Sequence, residues 1–375
     1  MKWFRRKPKV EPTTEQVETV TTPFGEFGEI SVTVDRSGEV PQATVTIPPK
    51  LAVGALLDSS IRERGQEHPE TLELAHRYAL ILADEPADRK QAIELLEWLS
   101  DVRLGDPAKR LPVLNDLSRV LQDAGHLSDA EETYRQALSG WERLRGQNDE
   151  NTLSAANNLA IVLVHLDRHD EAEGLLRDTV ARRTRTLGAT HVDTVTSRNA
   201  LAGTLRGTPG RLAEAERMYR AILADLARNG DPGDQAHISR HNLAAVLFHL
   251  NKLGPAEEMF RQVLAERSRV LGDQHPDVLT TRNSLAAVLS ARGKAGQAER
   301  ETAAVLEARR RVLGRRHPET LDSQVNLAAI RANQGRVAEA LPLLEDAIEG
   351  LRAAYGAGHP MVQELQQVRA QLRAG

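Results

Sequence analysis

Three arginines, Arg198, Arg240 and Arg282, recur at a step of 42 residues. Guanidinium groups set on successive structural units could grip carboxylates or a phosphate in a two-pronged fashion. Pairing with Glu from adjacent helices is the alternative. The histidines invite a metal reading, but their spacing argues against it. His68, His191, His275, His317 and His359 lie one or more repeats apart. They should form a row and not converge within the ~2 Å reach of one ion. Each stands at a helix start and reads as a cap. Cysteine is absent, which excludes disulfides, thiolate metal sites and cysteine nucleophiles. No G-x-x-x-x-G-K-[ST], H-E-x-x-H or G-x-S-x-G occurs, and scattered Ser, His and Asp make no triad without geometry. The expectation is a protein that is not an enzyme and carries no metal or cofactor.

The elements that would hold these residues are helices. The chain has 375 residues, and only 3% of them are aromatic. Ala, Leu, Arg and Glu abound, which favours helix, and a core so poor in aromatics must be built from thin Leu and Ala layers. Leu159, Leu201, Leu243, Leu285 and Leu327 are each 42 residues apart, and Ala160, Ala202, Ala244, Ala286 and Ala328 follow them. A fixed period in this range means stacked supersecondary units, each packed only on its neighbours. A second comb has i, i+4, i+7 spacing, which puts each trio on one helix face: Ala130-Tyr134-Ala137, Ala172-Leu176-Thr179, Ala215-Tyr219-Ile222, Ala256-Phe260-Val263, Ala298-Thr302-Val305 and Ala340-Leu344-Ala347. His-Pro-acid triplets at 68, 275 and 317 mark helix starts, because proline is tolerated at the first helical position and the acid faces the positive terminus. Helix pairs are expected to begin near 69, 108, 150, 192, 234, 276 and 318, with a last helix from about 360.

The first residues differ. MKWFRRKPK is basic, and the Thr-rich stretch after it cannot bury enough apolar area to order itself. A solvated tail is expected, with weak contact of Trp3 and Phe4 to an anionic membrane surface as the other reading. No apolar stretch follows, so neither a secretory signal nor a twin-arginine signal is expected, and no segment approaches the ~20 apolar residues of a membrane helix. Ile30, Val32 and Val34 alternate with polar residues, as do Ala43, Val45 and Ile47, and Asp35-Arg36-Ser37-Gly38 lies between them. That pattern is a β-hairpin. A net charge of −4 argues against a dedicated nucleic-acid binder.

The segment LGDQHPDVLTTRNSLAAVLSARGKAGQAERETAAVLEARRRVLG, residues 271–314, resembles the tetratricopeptide repeat, in the 42-residue variety of the kinesin light chain. The similarity covers roughly 108–360. It implies an all-α fold, a right-handed superhelical solenoid of helix-turn-helix repeats whose first helices line a concave groove. The organisation expected is a disordered tail (1–25), a small N-terminal β-hairpin (26–50), degenerate helical repeats (51–107), the repeat array (108–358) and a C-terminal capping helix (359–375). Similar arrays in bacterial regulators and signalling ATPases act as sensors or scaffolds. The heavy-chain-binding coiled coil of kinesin light chains has no counterpart here, so a motor-cargo role is not implied.

The resemblance also implies where binding occurs. In the family, asparagines of the first helix reach the groove and hold the backbone of an extended peptide, since an amide offers one acceptor and two donors whatever the peptide sequence. The matching positions are Asn157, Asn158, Asn199, Asn242, Asn283 and Asn326, with His241 and Val325 interrupting one column and Ala200 and Ser284 the other. Bonding of some of these amides to a neighbouring repeat is the alternative. Gly203, Ala245, Ala287 and Ala329 would leave an open floor. The expected role is a cytoplasmic scaffold that takes a protein or extended peptide in the groove formed by these residues, Arg198, Arg240, Arg282 and His241. A ligand-responsive regulatory module is the competing reading.

Overall fold

The computed structural model describes residues 17–23, 29–35, 42–46, 48–85, 87–103, 105–230, 233–356 and 358–374. Three strands come first: β1 (Val17–Pro23), β2 (Glu29–Asp35) and β3 (Gln42–Thr46). They form an antiparallel sheet in the order β1-β2-β3, with Val32 opposite both Val20 and Val45. The β2–β3 pair is the expected hairpin. β1 is an addition, because it falls on residues assigned above to a disordered tail. Backbone pairing to β2 supplies the hydrogen bonds that a lone Thr-rich segment lacks. The basic cluster at 1–9 lies outside the described residues.

Sixteen helices follow among the described residues: α1 (Pro49–Arg64), α2 (Pro69–Asp84), α3 (Arg89–Val102), α4 (Pro107–Asp123), α5 (Leu127–Arg145), α6 (Glu150–His165), α7 (His169–Leu187), α8 (Val192–Gly207), α9 (Leu212–Arg228), α10 (Asp234–His249), α11 (Leu253–Leu271), α12 (Pro276–Ala291), α13 (Ala295–Val312), α14 (Pro318–Asn333), α15 (Val337–Tyr355) and α16 (Pro360–Ala374). The even-numbered first helices start within one residue of the expected positions. Two compact units result, 1–166 and 167–375. In the first, each helix from α1 to α6 packs on the next. In the second, α7 to α16 do the same, and α10 also touches α8 and α12. Helices joined by such short turns run antiparallel, so the first helices of one unit point the same way.

The small-large alternation makes close packing possible. In all six trios named above, every member is at most 2% exposed. Ala256, for instance, lets α11 approach α12 while Phe260 fills the layer. Turns between paired helices need one left-handed residue. Gly293 supplies it at φ 73°, and Asn251 at φ 57°, since asparagine tolerates that region better than most side chains do. Four of the five histidines in the row cap helices. Nδ1 of His191, His275 and His317 accepts the backbone N–H two residues on at 3.2–3.3 Å. His68 does the same for Glu70, and Asp149 Oδ1 caps α6 in this way. Each cap satisfies a donor that the helix itself leaves free.

Candidate functional site

Helix period decides which side chains the array leaves open. In α12, Val278, Leu279, Thr281, Leu285, Ala286, Val288 and Leu289 are buried. Thr280, Asn283, Ser284, Ala287 and Ala291 are open or half-open. The same face of α10 shows Ile238, Asn242, Ala245 and His249, that of α14 shows Asp322, Asn326, Ala329 and Asn333, and that of α8 shows Thr196, Ala200, Gly203 and Gly207. Unit 167–375 therefore carries one face of small side chains and amides across four first helices.

The six asparagines do not share one fate. Asn326 is exposed, and its Nδ2 donates to Oδ1 of half-open Asn283 at 3.3 Å. Asn242 is half-open and no hydrogen bond holds its amide among the described residues. Asn199 is buried instead. Its Oδ1 accepts from Ser239 Oγ at 2.9 Å, and its backbone oxygen accepts from Tyr219 Oη at 3.3 Å. In the first unit Asn157 is buried with Oδ1 unpartnered, and Asn158 is half-open beside Tyr134, whose phenol burial pushes up to about 12. Groove exposure was expected for most of the six positions, with bonding to a neighbouring repeat as the alternative for some. Asn157 and Asn199 depart from that expectation because the helix turns them toward a packed neighbour.

The arginine column is engaged within the protein. Arg198 Nη2 lies 2.8 Å from Asp225, Arg240 Nη1 lies 2.7 Å from Glu266, and Arg282 reaches Asp273 at 3.4 Å and Glu301 at 3.7 Å. Each partner sits on or beside a second helix, which is the adjacent-helix pairing weighed above. His241 is half-buried, edge-on to Phe260 at 5.2 Å, with Nδ1 3.3 Å from Thr281 Oγ1. Desolvation, then Arg267 and Arg206, lowers its pKa to about 4, so it is neutral at pH 7 and serves as a packed ring.

Two further columns escaped sequence reasoning. Arg183, Arg267 and Arg309 are second-helix residues, each at most 8% exposed. Each donates from Nη1 at 2.8 Å to a hydroxyl fourteen residues on, in Ser197, Thr281 and Ser323 respectively, and also to the carbonyl of Asp193, Asp277 or Glu319. Their steps of 84 and 42 residues were readable in the sequence. The other column is acidic. Glu216 and Glu257, both 5% exposed, reach forward to Lys252 and Lys294 of the next hairpin at 2.8–2.9 Å, and Glu173 and Glu299 reach Arg211 and Arg336. Burial pushes the Glu257 carboxyl up, yet Lys294, Arg261 and Arg292 outweigh that and hold it below its ordinary value. The basic partners stand at the start of their second helices, so each carboxylate ties one hairpin to the next.

Among the described residues no three His, Cys, Asp or Glu groups converge as a metal site, and no helix is long and apolar enough to cross a membrane.

Known proteins agree with this architecture. A tetratricopeptide repeat model matches residues 109–183, 151–226 and 235–302, and a second matches 320–360. A tetratricopeptide repeat protein from Parabacteroides merdae is 16% identical, with a TM-score of 0.51 over 80% of this chain and 99% of that one. A Podosopora anserina protein with nearly identical kinesin-light-chain TPR-like repeats is 26% identical, with a TM-score of 0.46 over 54% of this chain and 96% of that one. The apo form of the quorum sensor NprR from B. thuringiensis is 13% identical, with a TM-score of 0.47 over 80% and 97%. No curated protein matches the chain.

Proposed function

Because this chain belongs to the tetratricopeptide repeat family, we propose that it is a non-catalytic scaffold that holds an extended peptide segment of a protein partner on the open first-helix face of residues 167–375. One observation carries this reading: Asn242, Asn283 and Asn326 are half-open or exposed on the helix faces that also carry Ala245, Ala287 and Ala329. Among the described residues the Asn242 amide is free of hydrogen bonds, and those of Asn326 and Asn283 are bonded only to each other. Open amides can meet successive peptide units, and methyl-sized neighbours let a backbone come within hydrogen-bonding reach. Asn199 plays no part in contact with the peptide, because Ser239 already occupies its acceptor. Arg198, Arg240 and Arg282 shape the face through their ion pairs instead of gripping the ligand. A cytoplasmic setting accords with the lack of cysteine.

The test selects binders to the full chain from a displayed library of random dodecapeptides and measures their affinity by fluorescence anisotropy. Replacing Asn242, Asn283 and Asn326 together with Ala should weaken the selected peptides by about ten-fold or more. Ala287→Trp should block them by filling the floor. Equal affinity for both variants and the parent would remove this face from the account.

A further inference from the structure

The open face is almost free of charge, and its two unpaired charges stand far apart. Most charged residues on the first helices of unit 167–375 are already engaged: Arg198, Arg240 and Arg282 as described, and Arg331 with Glu299 at 3.0 Å. Several acids sit in first turns beside their caps, as Asp193, Asp277 and Glu319 do. Past the first turns of α8, α10, α12 and α14 two charged side chains are exposed and make no ion pair or hydrogen bond among the described residues: Arg206 near the end of α8 and Asp322 in the second turn of α14. Arg206 lies close enough to Tyr219 and His241 for its charge to act on both, which places it on the α10 side of α8. Asp322 is exposed, yet loss of surrounding water raises its carboxyl above the ordinary value, against the pull of Arg309, which is itself bound to Glu319 at 2.8 Å. An exposed carboxylate whose neighbouring arginine is already paired with another acid can still accept an incoming cation.

The geometry points to a bipolar ligand: an extended peptide with an acidic side chain at Arg206 and a basic one at Asp322, joined by small uncharged residues over Asn242 and Asn283. This rests on the first-helix face being the binding face. The span sets the spacing. Three helix-to-helix steps of about 9 Å separate α8 from α14, and ten helix positions along the axis add an offset of about 15 Å. The diagonal is about 30 Å, which an extended chain crosses in about nine residues. Salt would weaken such recognition, since both poles face solvent.

The probe is a set of fluorescein-labelled peptides of Gly, Ala, Ser and Thr with blocked ends, each carrying one Glu and one Lys. Their separation runs from three to twelve residues in both orders. Anisotropy against the full chain at low salt should show one order binding best near a separation of nine. That peptide should bind about five-fold more tightly than the reversed order or the short spacings. The exchange Arg206→Glu with Asp322→Lys should invert the preferred order. Affinity that ignores spacing and order, an unchanged preference in the exchanged variant, or no binding of any member would overturn the proposal. Library-selected peptides that Ala287→Trp blocks but that show no charge preference would overturn it alone and leave the binding face standing. A library yielding no binders would remove both.

Discussion

The α11–α12 and α13–α14 junctions bury an arginine where the α9–α10 junction carries an aspartate. Arg267 and Arg309 donate into the hydroxyl of the next first helix, in Thr281 and Ser323. At the equivalent place Asp225 turns back to Arg198 of its own hairpin. Ser239, left without an arginine donor, gives its proton to Asn199, which is buried. At the α13–α14 junction, where the arginine is present, Asn283 stays half-open on the first-helix face. At these two junctions a swap of charge in the second helix accompanies a different fate for the amide on the adjacent first helix. Asn157, buried although Arg183 holds Ser197, shows that the arginine alone does not set it.

The comparison can be broken at its strongest point first. Arg267→Ala or Arg309→Ala should cost about 3 kcal/mol in urea unfolding, because a buried hydroxyl and carbonyl lose a charged donor. Asp225→Ala, at a half-exposed pair, should cost about 1 kcal/mol. Equal costs would mean that the two junctions are equivalent. Next comes the acidic column. Glu257→Ala should cost about 1–2 kcal/mol at pH 7, since Lys294 and Arg292 lose their shared acceptor. The Glu257 carboxyl is held below its ordinary value of 4.5, so its contribution is present above that pH and is lost as pH falls through the folded-state value. The gap between variant and parent, followed by thermal melting from pH 7 to pH 3, should shrink on acidification. Third, His275→Ala should lose about 1 kcal/mol of cap stabilisation and His275→Asp should retain it, as read by urea midpoint. Smallest is the amide contrast: Asn199→Ala should cost about 1 kcal/mol, whereas Asn283→Ala should stay within about 0.5 kcal/mol of the parent.

Much of the fold was legible because it is written as punctuation and period. Proline after histidine marks the starts of α12 and α14, and the Ala-Phe-Val spacing of α11 marks the buried face. β1 was not legible, because Val17 to Pro23 has little apolar alternation of its own and is defined by pairing with β2. The site was legible as columns but not as roles. Nothing local distinguishes Asn199 from Asn283, since each has a serine 40 residues on, and Ser239 donates to Asn199 whereas Ser323 is held by Arg309. The same holds for Arg282 and Arg309, which are both arginines within a helix. Only packing shows that Arg309 is buried at 5% exposure while Arg282 is drawn aside by acids.

The most direct measurement is hydrogen–deuterium exchange of the full chain with and without a library-selected peptide. Ligand binding on the first-helix face predicts added protection in α10, α12 and α14, with exposed stretches of α9, α11 and α13 unchanged. Protection concentrated in those second helices, with the first helices unaffected, would contradict it.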